Sequence, residues 1–309
     1  MSGTIPQPSG AARLRELIVN ARHEKRCILL PSCHDALSAA MIERAGFEVA
    51  FMSGFAVSAT SLALPDAGLI SYGEQLAIGR NVCEAARHTC VIGDGDTGFG
   101  TSANIRRTIE GYARAGFSGI SIEDQVYPKR CSHALGLSVV PRAESVTRVR
   151  AALAARDNMR AETGLDLVVV ARTDCRNAAV HGGLDEALAR CLAFEELGAD
   201  VVYAEGLASK VEMAMLNKAV QRTPTMLAQV ERPGVALVTT EEAAALGYAL
   251  SLRGLTVLNA SLAAMKGALA AMASGAPMPP LLSFDELYRD VGFDDHYAWE
   301  ARFEGKLAS

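Results

Sequence analysis

Short apolar runs alternate along this chain with longer stretches whose apolar residues recur three and four apart. The runs at 28–33, 49–54, 91–96, 119–124, 167–174, 201–206, 225–230 and 255–260 have the length and the Val/Ile/Leu content of buried strands. Between them, 72–88, 103–115, 144–162, 184–197, 209–219 and 240–249 are rich in Ala, Leu, Glu and Arg at helical spacing. Ala45-Gly46-Phe47, Ala115-Gly116-Phe117 and Leu197-Gly198-Ala199-Asp200 each set a glycine where a helix must stop before the next strand begins. Eight repetitions of strand and helix predict an α/β fold of the (β/α)8 barrel type. The competing arrangement, an open doubly wound sheet, usually carries Gly-x-Gly-x-x-Gly after its first strand. Here that strand runs into Pro31-Ser32-Cys33-His34-Asp35 instead.

With 309 residues, half of them hydrophobic and 21% charged, the chain can bury one large core, and no composition shift or charge block divides it. A single domain over 1–309 is expected, with Ser/Pro/Gly-rich residues 1–10 as a flexible N-terminus and 273–309 as a C-terminal helical extension. A net charge of -5 argues against nucleic acid, whose binders carry a basic face. Residues 1–10 lack the apolar core of a secretory signal, and no run approaches the ~18 to 20 apolar residues of a membrane span, so a cytoplasmic protein acting on small molecules is expected. The seven cysteines are odd in number and scattered, which suggests neither a disulfide framework nor a zinc site.

The chemistry gathers at the strand ends, which in a barrel form the active face. Directly after Cys90-Val91-Ile92 stands Gly93-Asp94-Gly95-Asp96-Thr97-Gly98-Phe99-Gly100, two carboxylates projecting where side-chain bulk disappears. The other ends carry Ser53 and Gly54, Glu123 and Asp124, Arg172 and Asp174, Glu205, Gln229 and Glu231, and Asn259. Carboxylates without histidine or cysteine ligands select Mg2+, or Mn2+, because hard oxygen donors suit hard ions. Each acid taken singly also reads as a helix cap. Asp94, Asp96, Glu123 and Glu205 together repel one another and require a cation.

The second constellation is Pro128-Lys129-Arg130-Cys131-Ser132-His133, in a connection, 125–141, longer than the about two to six residues usual after a barrel strand. It reads as a lid whose thiol, flanked by Lys, Arg and His, titrates below the usual range and exchanges a proton near neutral pH. An ordinary basic surface loop with an incidental cysteine is the alternative. Arg172 reads as a clamp for a substrate carboxylate, or as a rim salt bridge to Glu123 or Glu205, and the two roles can coexist. Ser53-Gly54-Phe55 offers a hydroxyl and bare N–H groups to an anion. His34 and His181, without partners at ligand spacing, read as loop histidines.

From about residue 28 to 272 the chain resembles the isocitrate lyase and phosphoenolpyruvate mutase superfamily. The resemblance rests on Phe51-Met52-Ser53-Gly54, Leu64-Pro65-Asp66, the Gly93 to Gly100 segment, Ile122-Glu123-Asp124-Gln125, the lid motif, Ala171-Arg172-Thr173-Asp174 and Gly183-Leu184-Asp185-Glu186-Ala187. It implies a (β/α)8 barrel whose last helix swaps between subunits of a homotetramer, with Mg2+ at the mouth. Asp96 would be the direct ligand, Asp94, Glu123 and Glu205 would bind through water, and Asp66 would stand near the metal. Phe51, Ser53, Gly54, Arg172, Glu205 and Gln229 fall at substrate-binding positions, and Cys131, His133, Lys129 and Arg172 at catalytic ones.

A Lys-Arg/Lys-Cys-Gly-His lid marks the superfamily's carbon–carbon lyases acting on isocitrate, 2-methylisocitrate and 2,3-dimethylmalate. The mutases, phosphonate hydrolases and oxaloacetate decarboxylases generally lack the cysteine. The resemblance therefore implies a Mg2+-dependent lyase of a 2-hydroxy di- or tricarboxylate, with decarboxylation or hydrolysis of a 2-oxo diacid as the alternative. Four departures bear on the substrate. Ser132 replaces a usual Gly, Phe51 a common Tyr, and Phe55 a frequent Gly, while Gln229-Val230-Glu231-Arg232-Pro233-Gly234 replaces an Asn-containing segment.

Overall fold

Eight parallel strands close in chain order into a barrel in the computed structural model, which describes residues 10–132, 134, 136–232 and 237–303. By its contacts the chain parts into two compact units, Met1–Leu258 and Asn259–Ser309. In the first, β1 (Ile28–Cys33), β2 (Val49–Met52), β3 (Cys90–Asp94), β4 (Gly119–Ile122), β5 (Val168–Thr173), β6 (Val201–Ala204), β7 (Thr225–Gln229) and β8 (Leu250–Arg253) form the barrel. Strand β8 closes it by pairing with β1, Ile28 opposite Leu250 and Pro31 opposite Arg253. Outside run α2 (Ala36–Arg44), α3 (Gly54–Leu62), α4 (Tyr72–Ala85), α5 (Ser102–Ala115), α6 (Arg142–Thr163), α7 (Leu184–Glu196), α8 (Lys210–Ala219) and α9 (Thr240–Ala245).

Period-two alternation divides each strand between two cores. Leu30, Phe51, Ile92, Val168 and Val170, Val201 and Tyr203, Met226, and Leu250 and Leu252 pack together as the barrel interior. Their sequence neighbours, among them Ala50, Met52, Val91, Ile122, Val169, Ala171, Val202 and Leu227, pack in the layer shared with the surrounding helices. With both faces buried, the strands read as continuous apolar runs. The interior cluster also contains Leu14, Ile18 and Ala21 of α1 (Gly10–His23), three residues at helical spacing that join the helix to the barrel interior.

Three expectations need correction. Helix α1 was not anticipated, and Gly10, assigned to the flexible terminus, begins it; residues 1–9 lie outside the described residues. The eighth strand is Leu250–Arg253, not 255–260, which falls largely in α10 (Thr256–Ser274), so Asn259 is helical and no strand-end residue. The correct signal was present: Gly247, at φ +99°, ends the turn after α9 just before Tyr248, as Gly46, Gly116 and Gly198 do before their strands. Finally, α10 has the length and mean hydropathy, 1.3, of a helix able to cross a membrane, although no such run was expected.

The second unit holds the rest of α10, with α11 (Phe284–Asp290) and α12 (Phe293–Glu300). Phe284, Tyr288, Phe293 and Tyr297 form a succession of ring contacts, Tyr288 stacking on Phe293 at 4.3 Å between centroids.

Candidate active site

Strand parity builds the site. Ser53, Asp94, Glu123, Arg172 and Glu205 each fall, two residues at a time, on the same side as Phe51, Ile92, Ser121, Val170 and Tyr203. All five are buried, at the end of the barrel where the strands finish. With Asp66, Cys131 and Ser132 they line a cavity of about 80 Å³, except Glu123, which is buried beneath Arg172; Phe51, Phe55, Ala228, Val230, Leu252 and Leu255 form the apolar wall.

Gln229 falls on the opposite parity, and its side chain is used elsewhere. Its amide donates to the Val238 carbonyl (3.1 Å) and the Ser251 hydroxyl (2.9 Å) and accepts from the Val238 N–H (2.7 Å), pinning the connection after β7. Ala228 and Val230 take the cavity positions instead. His133 and the Pro233-Gly234 end of the altered segment lie outside the described residues.

The acids are held from behind. The Asp94 carboxylate accepts the N–H groups of Gly54 (3.3 Å) and Asp96 (3.2 Å), while its backbone carbonyl accepts from Gln75 Nε2 (2.6 Å) and Tyr112 Oη (2.8 Å). Gln75 and Tyr112, both fully buried, were missed by the sequence reading; a glutamine on the buried face of α4 was the available signal. A Cβ on Gly54 would lie 2.9 Å from Asp94 Oδ2 and 3.2 Å from Asp96 Oδ1, so both acids face one small space that only glycine leaves clear. Gly54→Ala is expected to weaken Mn2+ binding at least about tenfold, measured by electron paramagnetic resonance, with the circular dichroism spectrum unchanged. Unaltered Mn2+ affinity would show that this space is not the cation's.

Lys129 enters the cluster from the lid. Its ammonium is 2.5 Å from Asp96 Oδ1 and 2.7 Å from Asp66 Oδ1, with the side chain 3% exposed. Burial pushes the Asp96 carboxyl up to about 7, with Lys129 opposing and Asp94 and Asp66 reinforcing. Burial alone would lower Lys129, but Asp96, Asp66, Glu123 and Asp94 together hold it well above the usual lysine range. Burial therefore dominates at Asp96, and the surrounding carboxylates dominate at Lys129.

Arg172 is gripped by Asp174, whose oxygens accept from Nε (3.0 Å) and Nη2 (2.8 Å). Its Nη1 lies 3.3 Å from Glu123, its plane stands 5.2 Å over the Tyr203 ring, and Nη2 donates to Ser132 Oγ at 2.6 Å. The expected ion pair with Glu123 is therefore present, and the guanidinium also lines the cavity. Tyr203 in turn donates to Glu205, which also accepts the Gly206 N–H at 2.9 Å. Asp124, facing away from the cavity, accepts from the Thr173 hydroxyl (2.6 Å), the Asp174 N–H (3.0 Å) and the fully buried Arg190 (2.8 Å), locking the ends of β4 and β5 together.

The lid is anchored at its base and covers the cavity with its tip. Gln125 and Val139 bridge antiparallel, the Val126 N–H donates to Ser138, and the Val140 N–H to Asp124. Cys131 and Ser132 reach the cavity from the tip.

The donor set fits a hard divalent cation. Both Glu123 carboxylate oxygens are buried without a hydrogen-bond donor, and burial pushes its carboxyl well up despite Arg172. Among the described residues Asp66, Asp94, Asp96, Glu123, Asp174 and Glu205 gather against Lys129 and Arg172, an excess of negative charge that a cation would offset. No group of three ligating side chains among the described residues converges on one point as it stands, and Lys129 lies 2.5 Å from Asp96.

The family model of phosphoenolpyruvate phosphomutase matches residues 18–273. The 2,3-dimethylmalate lyase of Eubacterium barkeri is 38% identical over 242 residues, 78% of either chain. A structure of oxaloacetate acetylhydrolase in complex with the inhibitor 3,3-difluorooxalacetate superposes with a TM-score of 0.88 at 31% identity, over 97% of this chain and 98% of that one. Phosphonopyruvate hydrolase in complex with oxalate and Mg2+ superposes at 0.81 with 28% identity, over 96% and 99%. The closed eight-stranded barrel agrees with these likenesses, and the chain belongs to the phosphoenolpyruvate mutase/isocitrate lyase superfamily of enzymes.

Proposed function

We propose that this enzyme is a divalent-cation-dependent carbon–carbon lyase of a 2-hydroxy diacid carrying small alkyl groups, of the alkylmalate or 2-methylisocitrate type. The observation that carries the reading is the position of Cys131, on the lid and lining the same cavity as Arg172, Asp94 and Glu205. The apolar wall of Phe51, Phe55, Val230, Leu252 and Leu255 suits alkyl substituents better than a further carboxylate.

Asp96, Asp94, Glu123 and Asp66 would hold Mg2+ or Mn2+, with Lys129 drawn aside. Bound there, the cation would polarise the oxyacid and offset the charge that develops as the bond breaks. Arg172 binds a substrate carboxylate, and a base takes the hydroxyl proton. The electron pair of that O–H bond forms the carbonyl of a 2-oxo acid as the carbon–carbon bond breaks. The bond's electrons remain on the other fragment as an enolate-like dianion, which Cys131 protonates. The lid excludes water that would compete for this intermediate.

A second reading, hydrolysis of an oxaloacetate-type 2-oxo diacid, is favoured by the likeness to oxaloacetate acetylhydrolase and by a cavity of only about 80 Å³. One assay separates them: incubation with alkylated malates, citramalate, 2-methylisocitrate and oxaloacetate, following pyruvate, glyoxylate and oxalate separately. Oxalate from oxaloacetate with no cleavage of any 2-hydroxy acid would remove the lyase.

We also infer a homotetramer in which the C-terminal helices pack on neighbouring subunits. The support is apolar exposure: Leu269 is 64% exposed, Met272 68%, Leu281 68%, Phe284 73% and Trp299 58%. Sedimentation equilibrium is expected to give four chains per particle; a stable monomer would contradict this.

A further inference from the structure

Counting donors at Arg172 singles out Ser132. A guanidinium has five N–H groups, one on Nε and two on each terminal nitrogen. Nε and Nη2 donate to the two oxygens of Asp174, and Nη2 also donates to Ser132 Oγ at 2.6 Å. The Nε/Nη2 edge, which would otherwise grip a ligand carboxylate with two parallel bonds, is thus taken by the protein. What remains for a ligand is Nη1, which lies 3.3 Å from Glu123.

A serine hydroxyl that accepts a hydrogen bond on a lone pair still has its proton to donate. Ser132 lines the cavity beside Cys131 and Arg172, so that proton has the cavity to point into. Ser132 is forty residues from Arg172 in sequence and belongs to the lid, so the donor reaches the arginine only when the lid lies over the barrel mouth.

We propose that Ser132 is a substrate-binding residue: the substrate carboxylate is held by one N–H of Arg172 Nη1 together with the O–H of Ser132, a composite donor pair completed by lid closure. This deepens the oxyacid reading given above and rests on it. The grip forms with the same lid segment that brings Cys131 to the cavity, so the proton donor arrives when the carboxylate is secured.

Isothermal titration calorimetry with malate and with oxalate, in the presence of Mg2+, tests this on the full chain. Ser132→Ala and Ser132→Gly are each expected to weaken binding about tenfold, the loss of one hydrogen bond to a charged group, and Ser132→Thr to stay within about threefold of the parent. Glycine binding as tightly as serine, or threonine as weakly as alanine, overturns the proposal while leaving the oxyacid reading intact, because the hydroxyl is then not the group in use. A parent protein that binds neither malate nor oxalate overturns the oxyacid reading, and this proposal with it.

Discussion

Cys131→Ser is expected to lower turnover of the 2-hydroxy acid about 10³-fold while changing the affinity for a non-reacting acid by less than about threefold. The substitution keeps size and hydrogen bonding but replaces a thiol by a hydroxyl, which gives up a proton far less readily near neutral pH. Cys131 lines the cavity as one of several walls, and the carboxylate contacts assigned to Arg172 and Ser132 do not include it, so binding persists when proton delivery fails. Rapid quench of a single turnover, with the affinity for oxalate measured alongside, separates the two quantities. Unchanged turnover in the variant would remove Cys131 from the chemistry and favour the hydrolytic reading.

Asp96→Asn is expected to abolish stabilisation by Mg2+ and yet raise the melting temperature of the metal-free protein above pH 7. Burial lifts the Asp96 carboxyl from 3.8 to about 7 in the folded chain. An acid with a raised folded value favours folding while it stays protonated and loses that contribution as pH rises through about 7. At pH 8 the parent therefore carries a buried negative charge near Asp94 and Asp66, with Lys129 in direct contact, and the amide variant does not. Lys129 also pairs with Asp66 at 2.7 Å, a contact that the substitution leaves untouched in composition. The loss in Mg2+ affinity is expected to reach about 10²-fold or more, since a ligand rather than a group behind it is removed. Scanning calorimetry at pH 6 and pH 8, with and without Mg2+, reads both effects. A variant that gains as much stability from Mg2+ as the parent would refute the ligand assignment.

These two effects have one source. Acids that would bind a cation are held close together by Gly54, Gln75 and Tyr112 at a cost in stability, which Lys129 partly offsets. Sites shaped for function commonly trade stability in this way.

The strand-end reading found Ser53, Asp94, Glu123, Arg172 and Glu205 because residues two apart on a strand share a face. It failed at Gln229 for a reason within the same rule. The run Thr225 to Val230 sets Thr225, Leu227 and Gln229 on one face and Met226, Ala228 and Val230 on the other; Met226 packs with Leu250 in the barrel interior, so the polar residue at the strand end turns toward the helices. The misplaced eighth strand followed from the apolar run 255–260, whose Thr and Val suit a strand locally, although the barrel closes at Leu250–Arg253 and α10 begins at Thr256.

From its sequence alone this protein determined a repeating strand-and-helix chain, acids and an arginine at successive strand ends, and a cysteine in an overlong connection. Those features depend on spacing along a few residues, and hydrophobic periodicity records spacing directly. Only the tertiary structure decided that Lys129 sits on Asp96 and Asp66, that Ser132 accepts a hydrogen bond from Arg172, and that Gln75 and Tyr112 hold the Asp94 carbonyl. Each of those contacts joins segments from 18 to 63 residues apart, and such distances close only when the barrel does.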